Sequence, residues 1–561
     1  MAETPPATMP APRTDKSAVL RELSDTSAAG MSRRLGPDYK SLHTTPEDFP
    51  TIYVAPDKRF SGASGHYQYG TPSSSGGDFS STQGQILYVP NSGGIGCDRV
   101  TIIEWTNGVF TESPQPPWHG GSWRPDGMTG VWSRVATGGL GQPIAAARGM
   151  GGWSNCGLVL TSSGFIGTSG TVTAAATSVA YQFPRNKLPL AISITNKNEL
   201  ALVTVVDTQT MQGQVAVLML CSSSKGGQFV HEWPDDYPGL PNVAMFTGMK
   251  MLGYVDLPGV TFPTSVCAVG NHLPGRLNGK DGNAGLLREW DLKKAGDRES
   301  FFKGNNADFS SSAGFAVIGA KYENKAVFLD LQPLFQRVRE AYFTSDEEFA
   351  KTRKFGNGKL WPPTFEFEPN WKPAVIKTVD VAQPSAVIAS LAGGDQACAL
   401  VASQDGTVTV FSVGGLSTNE AASADTITSV ATFKVGRNPT CLTYQKGSRD
   451  GFIAACRGDR EIDWIKANSS GGSVTRRLRD AHLLDPVAVE MADTHGIETS
   501  IISVTDFQGR KLINYRCSEL RFVTNGGAKF GMGPAGKDEF ECGGAMEFPG
   551  YPFALSATNV N

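Results

Sequence analysis

No apolar run in the 561 residues approaches the roughly 20 needed to cross a bilayer, which excludes a membrane-spanning helix. Charge is sparse as well: 18% of residues are charged and the net charge is −3, so no basic field points to nucleic acid or to an anionic membrane. The nine cysteines stand singly, without a Cys-x-x-Cys pair or metal-ligand spacing. Their odd number leaves at least one unpaired in a monomer, and Cys517 with Cys542 is the candidate disulfide. The seven histidines show neither His-x-His nor His-Glu-x-x-His spacing, and no Gly-x-Ser-x-Gly elbow occurs, so neither a histidine metal site nor Ser/His/Asp catalysis is expected.

What the chain has in abundance is glycine, 65 residues of it, and short β-branched runs between turns. Residues 1–50 are poor in clustered apolar side chains and rich in Pro, Ser and Thr, and are expected to be a flexible leader. The polar, Pro-rich start suits an exported protein, extracellular or periplasmic, and equally a cytoplasmic tail. Residues 51–561 are expected to form one domain, with Thr51–Ala55 a short strand laid along it.

One pattern then returns seven times: proline, any residue, a small residue, and usually a branched aliphatic. It reads Pro143-Ile-Ala-Ala, Pro189-Leu-Ala-Ile, Pro263-Thr-Ser-Val, Pro384-Ser-Ala-Val, Pro439-Thr-Cys-Leu, Pro486-Val-Ala-Val and Pro552-Phe-Ala-Leu. Proline is tolerated as the first residue of a strand, because its missing N–H falls before the ladder begins. The small residue two places on lies on one face of the pleat, where strands converging on a narrow axis leave no room for a larger one. Two further strand-like runs follow most starts, as Ala397–Ala402 and Thr407–Phe411 follow Pro384, with Gln404-Asp-Gly406 a hairpin signal between them. Val375–Val379, Val430–Val435 and Leu520–Val523 fit a fourth, outer strand. In the Pro143 unit the expected strands are Gly157–Thr161 and Thr171–Thr173. Units this small bury both faces only by stacking around a ring.

The last instance, Pro552–Thr558, opens a unit whose continuation is missing, while Gln85–Val89 and Val100–Trp105 read as second and third strands lacking a first. The fold expected is therefore an all-β, seven-bladed β-propeller in which the C-terminal strand closes the first blade. Loop insertions are expected at about 106–140, 222–262, 271–312 and 332–374. The last carries a helix with Leu331, Leu334, Phe335, Val338 and Tyr342 on one face, and Ser345-Asp-Glu-Glu348 as a capping box for a second.

With these repeats in hand, the chain resembles the YVTN-type seven-bladed propellers of surface-layer proteins and, more distantly, the lactonase-like propellers. The passage Phe433-Lys-Val-Gly-Arg-Asn-Pro-Thr-Cys-Leu442 is similar to the family's strand, glycine, proline, inner-strand succession, and Tyr88-Val-Pro-Asn91 is the nearest echo of its tetrapeptide. The resemblance implies a fold, and through its two branches either a surface-lattice subunit or a small-molecule hydrolase. No motif around any histidine allows catalytic residues to be carried over.

In such a ring the turn before each inner strand and the turn between second and third strands open on one face. That gathers Asp405, Arg437, Arg457, Asp459, Arg460, Glu461, Asp485, Asp506 and Arg510 around a funnel mouth as candidate ligand residues. Trp118 and Trp123, in a Gly- and Pro-rich insertion, are candidate contacts for a protein or glycan partner. Asp281-Gly-Asn283 has the oxygen-rich look of a calcium loop without the bidentate Glu such loops need; no other cofactor is expected. The leading expectation is a non-catalytic binding scaffold presenting its insertions and funnel mouth; the alternatives are a hydrolase working in the funnel and a lattice subunit.

Overall fold

A computed structural model describes residues 9–38, 52–54, 85–90, 97–106, 109–112, 143–148, 156–170, 178–223, 245–271, 279–281, 289–391, 393–445, 448–491, 500–517, 520–523, 529–532, 540–547 and 551–557. Among these residues the chain is a β-propeller: seven antiparallel sheets of at least four strands, with a separate two-stranded ribbon. The innermost strands begin at or within two residues of the seven prolines: Pro143–Arg148, Lys187–Ile194, Ser265–Gly270, Pro384–Ala389, Pro439–Tyr444, Pro486–Met491 and Ala554–Ala557. Each touches the next in that order and the last touches the first, so the ring is closed.

The closing strand pairs antiparallel with Gln85–Pro90, in the register Gln85 to Ala557 through Tyr88 to Ala554. One sheet is thus assembled from the two ends of the chain. In four inner strands the ladder slips by one residue directly after the proline, between Pro143 and Ala145, Pro384 and Ala386, Pro439 and Cys441, and Pro486 and Ala488. A bulge there re-aims the small residue. All seven small residues, Ala145, Ala191, Ser265, Ala386, Cys441, Ala488 and Ala554, line one axial cavity.

The second strands explain the long apolar runs. Leu200–Asp207 is buried along its whole length. Its residues alternate between two cores, Leu200 and Leu202 facing one neighbouring sheet and Ala201, Val203 and Val205 the other. A strand covered on both faces reads as continuously hydrophobic, because neither side of the pleat reaches water.

Several elements differ from expectation. The outer strand of the Pro189 sheet, Met245–Asp256, lies inside the expected 222–262 insertion. Leu520–Val523 pairs with Lys529–Met532 in the separate ribbon; the place expected for it is taken by Phe540–Glu547, whose free edge carries Ile52–Val54 as a parallel fifth strand. The third strand of the Pro143 sheet is Phe165–Gly170; residues 171–173 lie outside the described residues. Only for Leu520–Val523 did the pattern locate a strand and misassign its partner; Met245–Asp256 and Phe165–Gly170 were not located.

The larger departure concerns the leader. Residues 9–38 carry two helices, α1 (Lys16–Ser24) and α2 (Ala28–Leu35), lying on the ring. Asp15 and Ser27 cap them by accepting from Ala18 N and Gly30 N, and Gly36, with φ of 89°, ends α2. Val19 and Leu23 are buried against Leu190, Val206, Phe262 and Tyr322, and Met31 against Ile144, Val487 and Phe553. So short a segment lacks the apolar area to fold by itself, which is why its composition reads as flexible; the ring supplies the second half of its core.

Within the insertions lie α3 (Ala295–Phe302), which was not expected, α4 (Gln332–Phe343) and α5 (Asp346–Thr352). Leu331, Leu334, Phe335, Val338 and Tyr342 all face the core, and Ser345 Oγ accepts from Glu348 N at 3.1 Å, the capping bond expected there.

Candidate functional site

The funnel mouth is where the nine charged candidates meet the N-terminal helices, and the geometry changes their meaning. Arg457, at 1% exposure, forms a two-armed pair with Asp485, at 0%: Nε donates to Oδ1 at 2.6 Å and Nη2 to Oδ2 at 3.0 Å. Its remaining donors turn to α2. Nη1 reaches the carbonyls of Ser32 (2.7 Å) and Gly36 (2.6 Å), and Nη2 the Ser32 hydroxyl (2.7 Å). All five guanidinium N–H groups therefore have acceptors, and three of these bonds exist because the helix is docked.

Other ring side chains serve the same helix end. Asn438 Nδ2 donates to the Leu35 and Pro37 carbonyls at 3.0 and 2.8 Å, and Lys321 Nζ to the Arg34 carbonyl at 3.2 Å. The last carbonyls of a helix have no partner within it and carry partial negative charge. The mouth is thus a receptor for a helix C-terminus. On α1, Tyr322 donates to Glu22 Oε1 (2.7 Å), and Arg13 pairs with Glu22 Oε2 (2.6 Å).

Of the remaining candidates, two pair with each other and the others engage neighbouring ring or N-terminal groups. Arg437 Nε and Nη2 both donate to Asp459 Oδ1, at 2.9 and 2.7 Å, while Arg437 N donates to Asp459 Oδ2. Buried Glu461 accepts from Arg479 Nε at 2.5 Å. Buried Asp506 accepts from the backbone of Leu484, Asp485 and Gly509, holding two turns together; burial raises its pKa despite those bonds. Exposed Asp405 pairs with Lys434 at 2.8 Å, Arg460 approaches Asp38 at 3.9 Å, and Arg510 lies 5.4 Å from the Tyr551 ring centre. These charges brace the ring and its helices, and beside them a cavity of about 760 Å3 opens between the helices and the ring, lined by Arg13, Glu22, Ser32, Lys321, Tyr322 and Tyr551.

Sequence reasoning missed Asp463, on the same sheet as Glu461. It is buried, accepts from Gly436 N at 2.8 Å, and its carboxyl is pushed up to about 7 by burial and then by the neighbouring Glu461. It also missed Arg34, Lys321 and Asn438. The signals that could have found the helices were the caps, Asp15 and Ser27 before each and Gly36 after the second.

Trp118 and Trp123 lie outside the described residues, as do Gly282 and Asn283 of the candidate calcium loop. Among the described residues no three of His, Cys, Asp and Glu converge as metal ligands would. None of the helices described there is long and apolar enough to cross a membrane. Cys398 and Cys456 are buried free thiols, and Cys542 lies opposite Tyr515 in the ladder.

A second surface is formed by the insertions. Phe302, 41% exposed, and Phe367, 51% exposed, flank a groove of about 740 Å3 floored by Trp371 and Pro333 and edged by Arg337, Arg339 and Glu340. Arg337 is fixed by Glu368 at 2.9 Å and Glu348 at 3.2 Å, and Arg339 by the Phe302 carbonyl at 2.7 Å. The groove walls are rigid while the two phenylalanine rings stay in water.

No protein-family model matches the chain, and no curated protein matches it. Among solved structures it is similar to a periplasmic gluconolactonase of Pseudomonas aeruginosa, with 10% identity and a TM-score of 0.42 over 86% of this chain and 100% of that one. A putative 6-phosphogluconolactonase of Bacteroides fragilis gives 9% and 0.39 over 87% and 99%. The β-propeller domain of Cps50 (Swd1) from Myceliophteria thermophila gives 10% and 0.36 over 75% and 90%. These are likenesses of fold.

Proposed function

We propose that the chain is a non-catalytic binding scaffold that offers a protein partner the groove between Phe302 and Phe367. The observation that carries this reading is the insertion groove, which keeps two large apolar rings in water, whereas most charged candidates at the funnel mouth are engaged by ring side chains, backbone groups or α2. Aromatic and arginine side chains are the residues enriched where proteins meet proteins. The rings, the edging arginines and Glu340 suit an extended peptide segment with apolar anchors and mixed charge. An exported location and a YVTN-type relationship belong to the same proposal.

The test is a photo-crosslinking residue placed at Phe367, with a second placed at exposed Val430 as control. A discrete protein adduct formed in extracts of the native cells at Phe367 alone, and lost on Phe302→Asp, is the expected result. Adducts with glycan, or equal labelling at both positions, refute it. Turnover of lactones or phosphate esters by the full chain, abolished by Arg437→Gln, would restore the hydrolase reading. Concentration-dependent growth in light scattering would favour the lattice.

A further inference from the structure

Beneath α2 the innermost strands of all seven sheets line an axial cavity of about 300 Å3. Its walls mix the aliphatic side chains of Ile144, Ile192, Val266, Val387, Val487 and Leu555 with the hydroxyls of Thr264, Ser265, Ser385 and Thr440. Met31, Arg34 and Leu35 of α2 close it on one side, and Lys321 and Tyr322 reach it from the rim. Among the described residues no aspartate or glutamate lines it.

Arg34 is the unusual member. It is not exposed, and its one hydrogen bond as a donor runs from Nη2 to the Leu190 carbonyl at 2.6 Å. It makes no ion pair among the described residues, in contrast to Arg457, whose five donors are all taken. Lys321, also not exposed, has the Arg34 carbonyl as its acceptor and two N–H groups left over. Burial lowers the pKa of both, that of Lys321 to about 8. Of the wall hydroxyls, Thr264, Ser385 and Thr440 spend their protons on the carbonyls of Gly319, Ala402 and Val487, while the buried Ser265 hydroxyl has no partner among the described residues; all are neutral, so none supplies the missing counter-charge. A guanidinium held in this chamber without a counter-charge is costly unless something anionic joins it.

We infer that the axial cavity binds a small organic anion, its carboxylate or phosphate oxygens on the Arg34 guanidinium with Lys321 alongside, and its apolar body against the aliphatic wall. The guanidinium fork matches two oxygens of either headgroup. Because Arg34 belongs to α2 and the wall to the ring, the ligand binds only the docked state and must stabilise docking in return. At one hundred times its dissociation constant it shifts the docking equilibrium about 100-fold. This site is independent of the insertion groove, so either reading stands or falls alone.

The experiment is calorimetric titration of the full chain with benzoate, phenyl phosphate, inorganic phosphate and neutral benzamide, with amide exchange of residues 16–35 followed in parallel. One site per chain for benzoate or phenyl phosphate, none for benzamide, and slower exchange of α1 and α2 with the bound ligand are expected. Whichever aromatic anion binds identifies the headgroup. Arg34→Gln is expected to weaken binding at least tenfold, as loss of a charged hydrogen-bonding partner does. Should that variant undock α2, Ala145→Leu, which fills the chamber from the ring side, is expected to abolish binding with α2 still docked. Silence from all three anions, binding by both variants at the native affinity, or inorganic phosphate binding as tightly as phenyl phosphate overturns the assignment.

Discussion

Replacing Arg457 with leucine removes two things at once, and the structure allows them to be separated. The first is the partner of Asp485, which has no exposed surface and would be left as an uncompensated buried charge. Breaking such a pair costs about 3–5 kcal/mol. With an unfolding entropy of about 2.1 cal/mol/K per residue, that is a fall of about 3–4 °C in Tm if the ring melts as one unit. The second is the cap on α2, three hydrogen bonds to Ser32 and Gly36. Hydrogen bonds to a charged group contribute about 1.5–3 kcal/mol, so undocking of residues 16–35 should become at least tenfold easier. The double variant Arg457→Leu/Asp485→Leu separates the effects. A well-packed apolar pair commonly replaces a buried ion pair without loss, so Tm is expected to recover while α1 and α2 stay undocked. Calorimetry reads the first and hydrogen exchange of peptides within 16–35 the second. Native protection of those peptides in the double variant would refute the claim that Arg457 holds the helices; an unchanged Tm in the single variant would refute the buried pair.

Removing residues 552–557 deletes the strand that completes the sheet begun by Gln85–Pro90, together with buried Phe553 and Leu555; at about 2–5 kcal/mol per large buried side chain, these two alone should lower Tm by about 3–8 °C if the ring melts as one unit. Asp463 has its carboxyl raised from 3.8 to about 7 in the folded state, so it binds a proton there that the unfolded chain has released. Its contribution to stability is full below about pH 4 and is lost as pH rises to about 7, and the difference in urea midpoint between the native chain and Asp463→Asn should show that slope. Gly36→Ala places a Cβ 2.7 Å from Gln404 Nε2 at a φ of 89°, so α2 should exchange faster with the ring's Tm unchanged. Arg33→Ala, which breaks an exposed pair with Asp25, should leave α2 exchange as it was.

The ring was legible because its determinants repeat. A proline at the head of each inner strand, a small residue at the axis and an aliphatic beside it are demands of a converging sheet, and the chain meets them seven times. The closure between Ala554–Ala557 and Gln85–Pro90 followed from an orphaned beginning at one end and a headless sheet at the other. Where the repeat gives no demand, the reading failed: an outer strand lies far from the axis and carries no proline or small-residue mark, so Leu520–Val523 was expected there and the structure uses Phe540–Glu547.

The candidate site was legible in place but not in meaning, and the reason is the identity of its ligand. Topology alone puts Arg457, Asp485 and Asp506 on one face. What occupies that face is a helix end held through its backbone carbonyls, at Ser32, Arg34, Leu35, Gly36 and Pro37, and backbone groups leave no trace in residue type. The side chains that do carry information, Val19, Leu23 and Met31, are too few to mark a helix pair against a polar leader. Arg34 could not have been singled out from sequence: Arg33 and Arg34 look alike in the chain, yet one lies in solvent paired with Asp25 and the other faces the axial cavity without a counter-ion among the described residues. Only the docked helix tells them apart, which is why the unpaired arginine, rather than the paired cluster, is the functional signal at this end of the ring.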